Sequence, residues 1–266
     1  MRPFLKWAGN KYRCIETIQH YLPPSNRLIE PFSGSGAVFM NSNYPKYLLA
    51  EKNFDLINLY NQIKYSGKAF IEYCNSYFLN NNNQTAFYQL RELFNRSQCP
   101  KLRSALFVYL NRHGYNGLCR YNKKRLFNVP FGRYERPYFP ENEMLSFYHK
   151  SQRATFLCAD FRRTFALATP GDIIYCDPPY VPLSKTASFA GYTEQQFTFA
   201  DHIDLSELAY NTAKFGITVI LSNHDTEHVR HLYRFSSCIH SFPVMRSISC
   251  KADERHSAQE IIAIFK

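Results

Sequence analysis

Long apolar runs are missing from this chain. No stretch approaches the roughly 18 residues that a membrane-spanning helix needs. Its first residues, Met1-Arg2-Pro3-Phe4-Leu5-Lys6-Trp7, hold no apolar core of the signal-peptide kind. A cytoplasmic location without membrane attachment is therefore expected. The eight cysteines contain no C-x-x-C pair and keep no regular spacing. Zinc sites normally show such spacing, so no metal is expected and the thiols are expected to be free. There is no G-x-G-x-x-G fingerprint, which argues against dinucleotide binding, and no internal repeat. Acids are also scarce, with 21 Asp and Glu against 32 Lys and Arg.

What is present is charge of one sign and aromatic rings. The formal net charge is +11 and aromatics make up 17% of 266 residues. At about 150 residues per domain, this length suits one or two domains with a real hydrophobic core. Composition alone is compatible with an ordinary basic enzyme. The position of the charge points further. Residues 86–140 hold eleven Lys or Arg and only two acids, Glu92 and Glu135. A basic segment interleaved with aromatics suits a polyanion whose bases can stack.

The apolar pattern predicts strands at 27–30, 47–51, 155–159, 173–176 and 218–222, with tail strands near 239–244 and 260–265. Helices are expected from 37, over 55–65, 68–79, 86–112, 161–167 and 202–215. Residues 80–83, all asparagine, read as a loop. Residues 114–140, dense in Gly, Asn, Tyr, Arg and Pro, read as hairpin or loop. The Ser/Thr-rich stretch 182–200 is long for a connection and is a candidate lid. The simplest account is one α/β domain, residues 1–56 and 146–266, interrupted by a basic, mostly helical insertion at 57–145.

Two motifs carry chemistry. Pro31-Phe-Ser-Gly-Ser-Gly36 follows a strand and precedes a helix, where glycines let the backbone approach a ligand. A glycine turn alone is more often only a turn. Glu51, however, ends the next strand, and an acid there can accept both hydroxyls of a ribose. Asp177-Pro178-Pro179-Tyr180 follows a buried strand. Two prolines fix two φ angles and remove two N–H donors, so the preceding carboxylate is held rigidly. That carboxylate and the free carbonyls can accept from an exocyclic amino group, and Tyr180 can stack on its ring.

With these motifs the chain resembles Dam-type DNA adenine-N6 methyltransferases over almost its full length. The matching segments are Phe4-Leu-Lys-Trp-Ala-Gly9 with Lys11, Glu30-Pro-Phe-Ser-Gly-Ser-Gly36, Leu110-Asn-Arg-His-Gly-Tyr-Asn-Gly-Leu-Cys-Arg-Tyr-Asn122 and Asn128-Val-Pro-Phe-Gly-Arg-Tyr134. Asp177-Pro-Pro-Tyr180, Ser222-Asn-His-Asp225 and Arg246-Ser-Ile-Ser249 also fit. The resemblance implies a Rossmann-like methyltransferase sheet with an inserted target-recognition domain containing a hairpin. It implies S-adenosylmethionine as methyl donor, double-stranded DNA as partner and GATC as target, with no metal and no obligate protein partner.

Residue by residue, it implies catalytic roles for Asp177, Pro178 and Tyr180. Trp7, Lys11, Phe32, Glu51, Asp160, Phe161 and Asp177 would hold the cofactor. Lys6, Tyr115, Asn116, Leu118, Arg120, Pro130 and Tyr134 fall on base-reading or strand-separating positions. Arg91, Arg112, Asn122, Asn128 and Arg133 fall on phosphate-contacting ones. The chain departs from the pattern at Asn10 (usually glycine), Glu51 (usually aspartate) and Glu135 (commonly basic). Related enzymes acting on cytosine N4 carry Ser-Pro-Pro-Tyr, and those acting on glutamine or RNA carry Asn-Pro-Pro-Tyr. Asp177 favours adenine in DNA. A DNA-binding protein that keeps the fold without catalysis is the other rival, against which Asp177, Tyr180, Trp7 and Lys11 count.

Overall fold

The computed structural model describes residues 1–181, 197–244 and 258–266. Arg246-Ser-Ile-Ser249 and most of the candidate lid lie outside the described residues. Seven strands form one sheet: β1 (Arg27–Glu30), β2 (Lys46–Glu51), β3 (Ala154–Cys158), β4 (Asp172–Cys176), β5 (Thr218–His224), β6 (Cys238–Val244) and β7 (Ala258–Phe265). Their order is β3-β2-β1-β4-β5-β7-β6. The first five run parallel, and β7 is antiparallel to both β5 and β6. The central strands read as continuous apolar runs because both faces are covered. Leu28, Tyr47, Leu49 and Tyr175 belong to the core on one side. Ile29, Leu48, Ile174 and Cys176 belong to the core on the other.

The second face is covered by α7 (Phe161–Phe165), α8 (Phe199–Ala213) and α9 (Glu227–Leu232), which bury Phe165, Leu205, Ala209 and Leu232 there. The first carries α2 (Ala37–Asn41), α3 (Phe54–Ser76), α6 (Glu141–Ser151) and the inserted α4 (Gln84–Arg96) and α5 (Pro100–His113). Insertion and sheet share one apolar cluster, from Phe94 and Phe107 through Tyr60 and Phe147 to Tyr47. Phe147 sits at its centre, with rings of Phe4, Phe39, Tyr60 and Phe156 at 4.7–5.7 Å. Most of the aromatic richness is therefore core filling. The twelve largest fully buried side chains are all Tyr or Phe.

Local signals explain where helices differ from the apolar pattern. The expected helix over 86–112 is two helices, because Pro100 cannot continue one but starts another well. The expected helices at 55–65 and 68–79 merge into α3, which bends at Gly67 against the ring of Tyr148. Three short helices were not marked by apolar periodicity: α1 (Ile15–Tyr21), α6 and α9. Helix α6 buries only Met144, Phe147 and Ser151, yet its ends carry suitable charge. Glu141 and Glu143 open it and His149 and Lys150 close it, each complementing the helix dipole. Helix α8 starts one turn early, at Phe199, through a reciprocal cap between Thr198 and Asp201.

Residues 114–131 form a hairpin-like excursion closed by two isolated bridges, Gly114 to Phe131 and Tyr121 to Phe127. Its tip is tied by Asn122, whose Oδ1 accepts from the N–H groups of Lys124 (2.9 Å) and Leu126 (3.1 Å). Phe127 and Val129, both buried, anchor its return limb.

Candidate active site and nucleic-acid interface

The chain winds β1, β2, β3 to one side and returns to place β4 beside β1. Ligands of such sheets bind where that reversal opens a crevice at the carboxyl ends of the strands. Glu30 ends β1, Glu51 ends β2 and Asp177 follows β4. A cleft of about 500 Å³ lies at this edge. It gathers Trp7, Lys11, Phe32, Glu51, Asp177, Pro178 and Tyr180 of the expected site residues.

One end is built on the glycine turn. Ser33 N–H donates to the Ala50 carbonyl at 3.0 Å, which ties the turn to β2. Gly34 takes φ +44°, and a Cβ there would meet the Trp7 indole at 3.1 Å, so glycine admits the ring. The Glu51 carboxylate accepts from the Gly34 N–H (3.3 Å) and the Lys52 N–H (2.9 Å). Burial raises its pKa, opposed by those N–H groups. Asp160 and Phe161 stand one element away, at the start of α7. They reach the cleft through neighbours, Phe161 stacking on Phe32 (5.6 Å) and Asp160 pairing with Lys52 (2.6 Å).

The other end is a charged cluster. Lys11 Nζ lies 3.0 Å from Asp177 Oδ1 and 3.8 Å from Glu260 Oε2. Ser222 Oγ donates to the same Asp177 oxygen at 3.0 Å. Tyr180 Oη donates to Glu260 Oε2 at 2.9 Å, and the Lys11 ammonium sits 4.3 Å from the Tyr180 ring centre. Burial pushes the Asp177 carboxyl above its ordinary range, opposed by Lys11 and Ser222. Burial alone would lower Lys11, but the two carboxylates outweigh it and its pKa is raised. Ser222 belongs to a matching segment, but the sequence assigned it no role. Glu260 had no signal, being one acid at the start of an apolar tail strand.

The expected DNA residues form a second group beside the first, joined through the N-terminal segment. Asn111 accepts from the Lys6 N–H (2.9 Å) and donates to the carbonyls of Lys6 (2.7 Å) and Gly117 (3.0 Å). Gly117 has φ +62°, and a Cβ there would fall 2.4 Å from Lys6. The Lys6 ammonium sits 4.1 Å from the Tyr134 ring centre, and Tyr134 Oη accepts from the Asn116 N–H at 2.9 Å. Lys6, Asn116 and Tyr134 are thus brought together, with exposed Tyr115 beside them. Tyr115 N–H donates to the Pro130 carbonyl at 2.9 Å, while Leu118 is half-buried against the core.

The arginines divide. Arg120 is exposed, and its Nε donates to Asn128 Oδ1 at 2.8 Å. Arg133 is exposed with φ +54°. Arg91 donates to the Val129 carbonyl at 2.9 Å and lies over the Tyr88 ring. Arg112 donates to the Phe4 carbonyl, and its Nε is buried without a hydrogen-bond partner among the described residues. Asn122 spends its carbonyl oxygen on the hairpin tip.

A parallel sheet with an antiparallel penultimate strand, and a cleft of acids at its carboxyl edge, is a Rossmann-like methyltransferase. The chain belongs to the D12 class N6 adenine-specific DNA methyltransferases, whose family model matches residues 7–248. It is 48% identical to a DNA adenine methylase of Vibrio cholerae serotype O1 over 266 residues, covering 99% of this chain and 96% of that one. Identity is 46% to a DNA adenine methylase of Serratia marcescens (100% and 98% covered) and 44% to one of Escherichia coli strain K12 (100% and 95%). The chain is an adenine-specific DNA methyltransferase, and its family implies S-adenosylmethionine as cofactor. The donor set fits that cation. Glu30, Glu51 and Asp177 line the cleft beside Lys11. Glu30 Oε1 and Ser33 Oγ are buried with no hydrogen-bond partner among the described residues. Burial pushes Glu30 up to about 8, opposed by Lys150, so a nearby cation would favour its charged form. Among the described residues no helix is long and apolar enough to cross a membrane, and no acid, His or Cys cluster has metal-holding form.

Proposed function

We propose that this chain methylates adenine N6 at GATC in double-stranded DNA, drawing the base out of the duplex into the cleft beside Asp177. Residues 1–56 and 146–266 serve as the catalytic part and 57–145 as the target-recognition part. The observation that carries the reading is the Asp177 carboxylate, clamped on one oxygen by Lys11 and Ser222 next to Pro178 and Tyr180. S-adenosylmethionine supplies a methyl group on a positively charged sulfur. Adenine N6 is a poor nucleophile because its lone pair is delocalised into the ring. With Oδ1 engaged, Asp177 Oδ2 and the Pro178 carbonyl accept the two N6–H bonds, which localises the lone pair. The residues contribute chiefly by holding the nitrogen in line. N6 is unreachable inside a duplex, so extrusion costs a few kcal/mol. Stacking on Tyr180, with Tyr115 or Leu118 filling the vacated space, offsets that cost. Methyl transfer from labelled cofactor to duplexes differing only at GATC tests the reading. Equal labelling of both would overturn it.

At the cofactor end, Trp7 covers the ligand, Phe32 and Phe161 flank it, and Asp160 meets its adenine. Glu51 accepts the ribose hydroxyls while bracing the Gly34 turn. Glu51→Gln is expected to weaken cofactor binding by about 1 kcal/mol, the difference between hydrogen bonds to a charged and to a neutral acceptor. Glu51→Asp, which restores the side chain usual in the family, is expected to bind at least as tightly. Calorimetric titration of the three proteins decides both.

On the DNA side, Arg120 reads a guanine edge and Asn128 orients its guanidinium across the hairpin. Lys6, Asn116, Pro130 and Tyr134 complete the reading face, and Arg91, Arg112, Asn122, Asn128 and Arg133 lie along the phosphates. Phosphate contacts set register, and base contacts set sequence. Arg120→Ala is expected to lose ~1–3 kcal/mol of discrimination against near-cognate sites. Asn128→Ala should lose part of the same discrimination. Competition assays with single-base variants of GATC measure it, and a uniform loss across sites would place Arg120 on the phosphates.

A further inference from the structure

We propose that Glu260 is a positioning residue for methyl transfer, acting through the Tyr180 ring. Four observations converge on it. Its carboxylate is about nine-tenths buried yet lines the catalytic cleft. Its Oε2 accepts the Tyr180 hydroxyl at 2.9 Å, and these two residues lie 80 positions apart in the chain. The same oxygen lies 3.8 Å from the Lys11 ammonium that Asp177 also engages. Strand pairing places Glu260 opposite His224 on β5, and the His224 ring meets the Tyr180 ring edge-on at 4.5 Å.

A phenol ring in a cleft has two soft torsions. A hydrogen bond at its far end and a ring against its edge remove both. Tyr180 is then presented in one orientation before the base arrives, so ordering it costs nothing at that moment. Glu260 reaches this place only because β7 inserts antiparallel between β5 and β6. It touches neither the acceptor base nor the methyl donor in this role. The inference rests on the reading that Tyr180 stacks on an extruded adenine.

The test compares native protein, Glu260→Ala, Glu260→Gln, Tyr180→Phe and Tyr180→Phe with Glu260→Ala. Each is assayed for methyl transfer to a GATC duplex, cofactor affinity and thermal unfolding. A duplex carrying 2-aminopurine at the target adenine reports stacking, since its emission is quenched against a ring. Glu260→Ala and Tyr180→Phe should each lower kcat about tenfold, as expected for losing a charged hydrogen bond. The double variant should be no slower than the slower single one, because the hydrogen bond the two residues share is already lost in either single variant. Glu260→Gln keeps an acceptor for the phenol and should stay within about threefold of native. Cofactor affinity should hold within about twofold, and bound 2-aminopurine should brighten in the alanine and phenylalanine variants alike.

Additive losses would overturn the proposal, as would a Gln variant as slow as Ala or a cofactor affinity falling in step with kcat. Failure of the native protein to make the thymine opposite the target adenine reactive to permanganate would instead reject base extrusion itself. Native extrusion with a fully active Glu260→Ala would reject only the positioning role.

Discussion

Asp177→Ala is expected to reduce methyl transfer to background while leaving DNA affinity within a few-fold of native. The carboxylate stands just past the end of β4, clamped by Lys11 and Ser222, and the residues proposed to meet DNA phosphates are other ones. An interaction made only with the reacting group lowers kcat and kcat/KM together and leaves ground-state binding intact. Asp177→Asn keeps the size and one acceptor oxygen but offers a neutral group to N6–H, and should retain only a trace of activity. The native enzyme should also show the group in its pH profile. The ionised carboxylate is the active form, and burial raises its pKa. Activity is therefore lost as pH falls through a value above the ordinary carboxylate range of about 3.9. Single-turnover transfer measured against pH, with filter or anisotropy binding in parallel, checks both. Near-native turnover in Asp177→Ala would remove this residue from the chemistry.

Asp55→Ala is expected to cost about 3–5 kcal/mol of stability, the usual loss when one partner of a buried ion pair is removed. Asp55, buried in the first turn of α3, accepts two bonds from Arg103 of α5 at 2.9 and 3.0 Å. It also accepts the Tyr121 hydroxyl at 2.7 Å. Removal strands the Arg103 guanidinium and loosens the hairpin that carries Arg120. Urea unfolding should show the lower midpoint, and methylation of near-cognate sites should rise. Replacing Asp55 and Arg103 together by apolar residues should recover much of the stability, because no buried charge is then left alone. A fall below 1 kcal/mol for the single change would mean that water already satisfies Arg103.

Several parts of this molecule are legible in its residues. Parallel strands buried on both faces read as apolar runs, so five central strands and the two tail strands stand close to their expected bounds. The acids Glu30, Glu51 and Asp177 each terminate such a run, and a parallel sheet necessarily brings those ends to one edge. The break at Pro100 and the charged ends of α6 carry local capping signals, and the expected single helix over 86–112 and the unmarked α6 passed over both. The basic segment was visible as a count of charges.

What the chain could not disclose from spacing depends on contacts between distant residues. Arg91 and Arg112 have the same side chain as Arg120, yet those two are half-buried against the protein and Arg120 stays exposed. The tyrosines and phenylalanines divide between core and surface by the packing of α3 to α6 on the sheet. Glu51 and Asp177 announced themselves because local backbone geometry puts them at strand ends. Glu260 did not, because its partner Tyr180 lies 80 residues away. Strand order is a global choice, set by which faces can be covered together. The residues alone settled which side chains end the strands. Only the closed sheet, with β7 reversed beside β5, decided that a fourth carboxylate joins them.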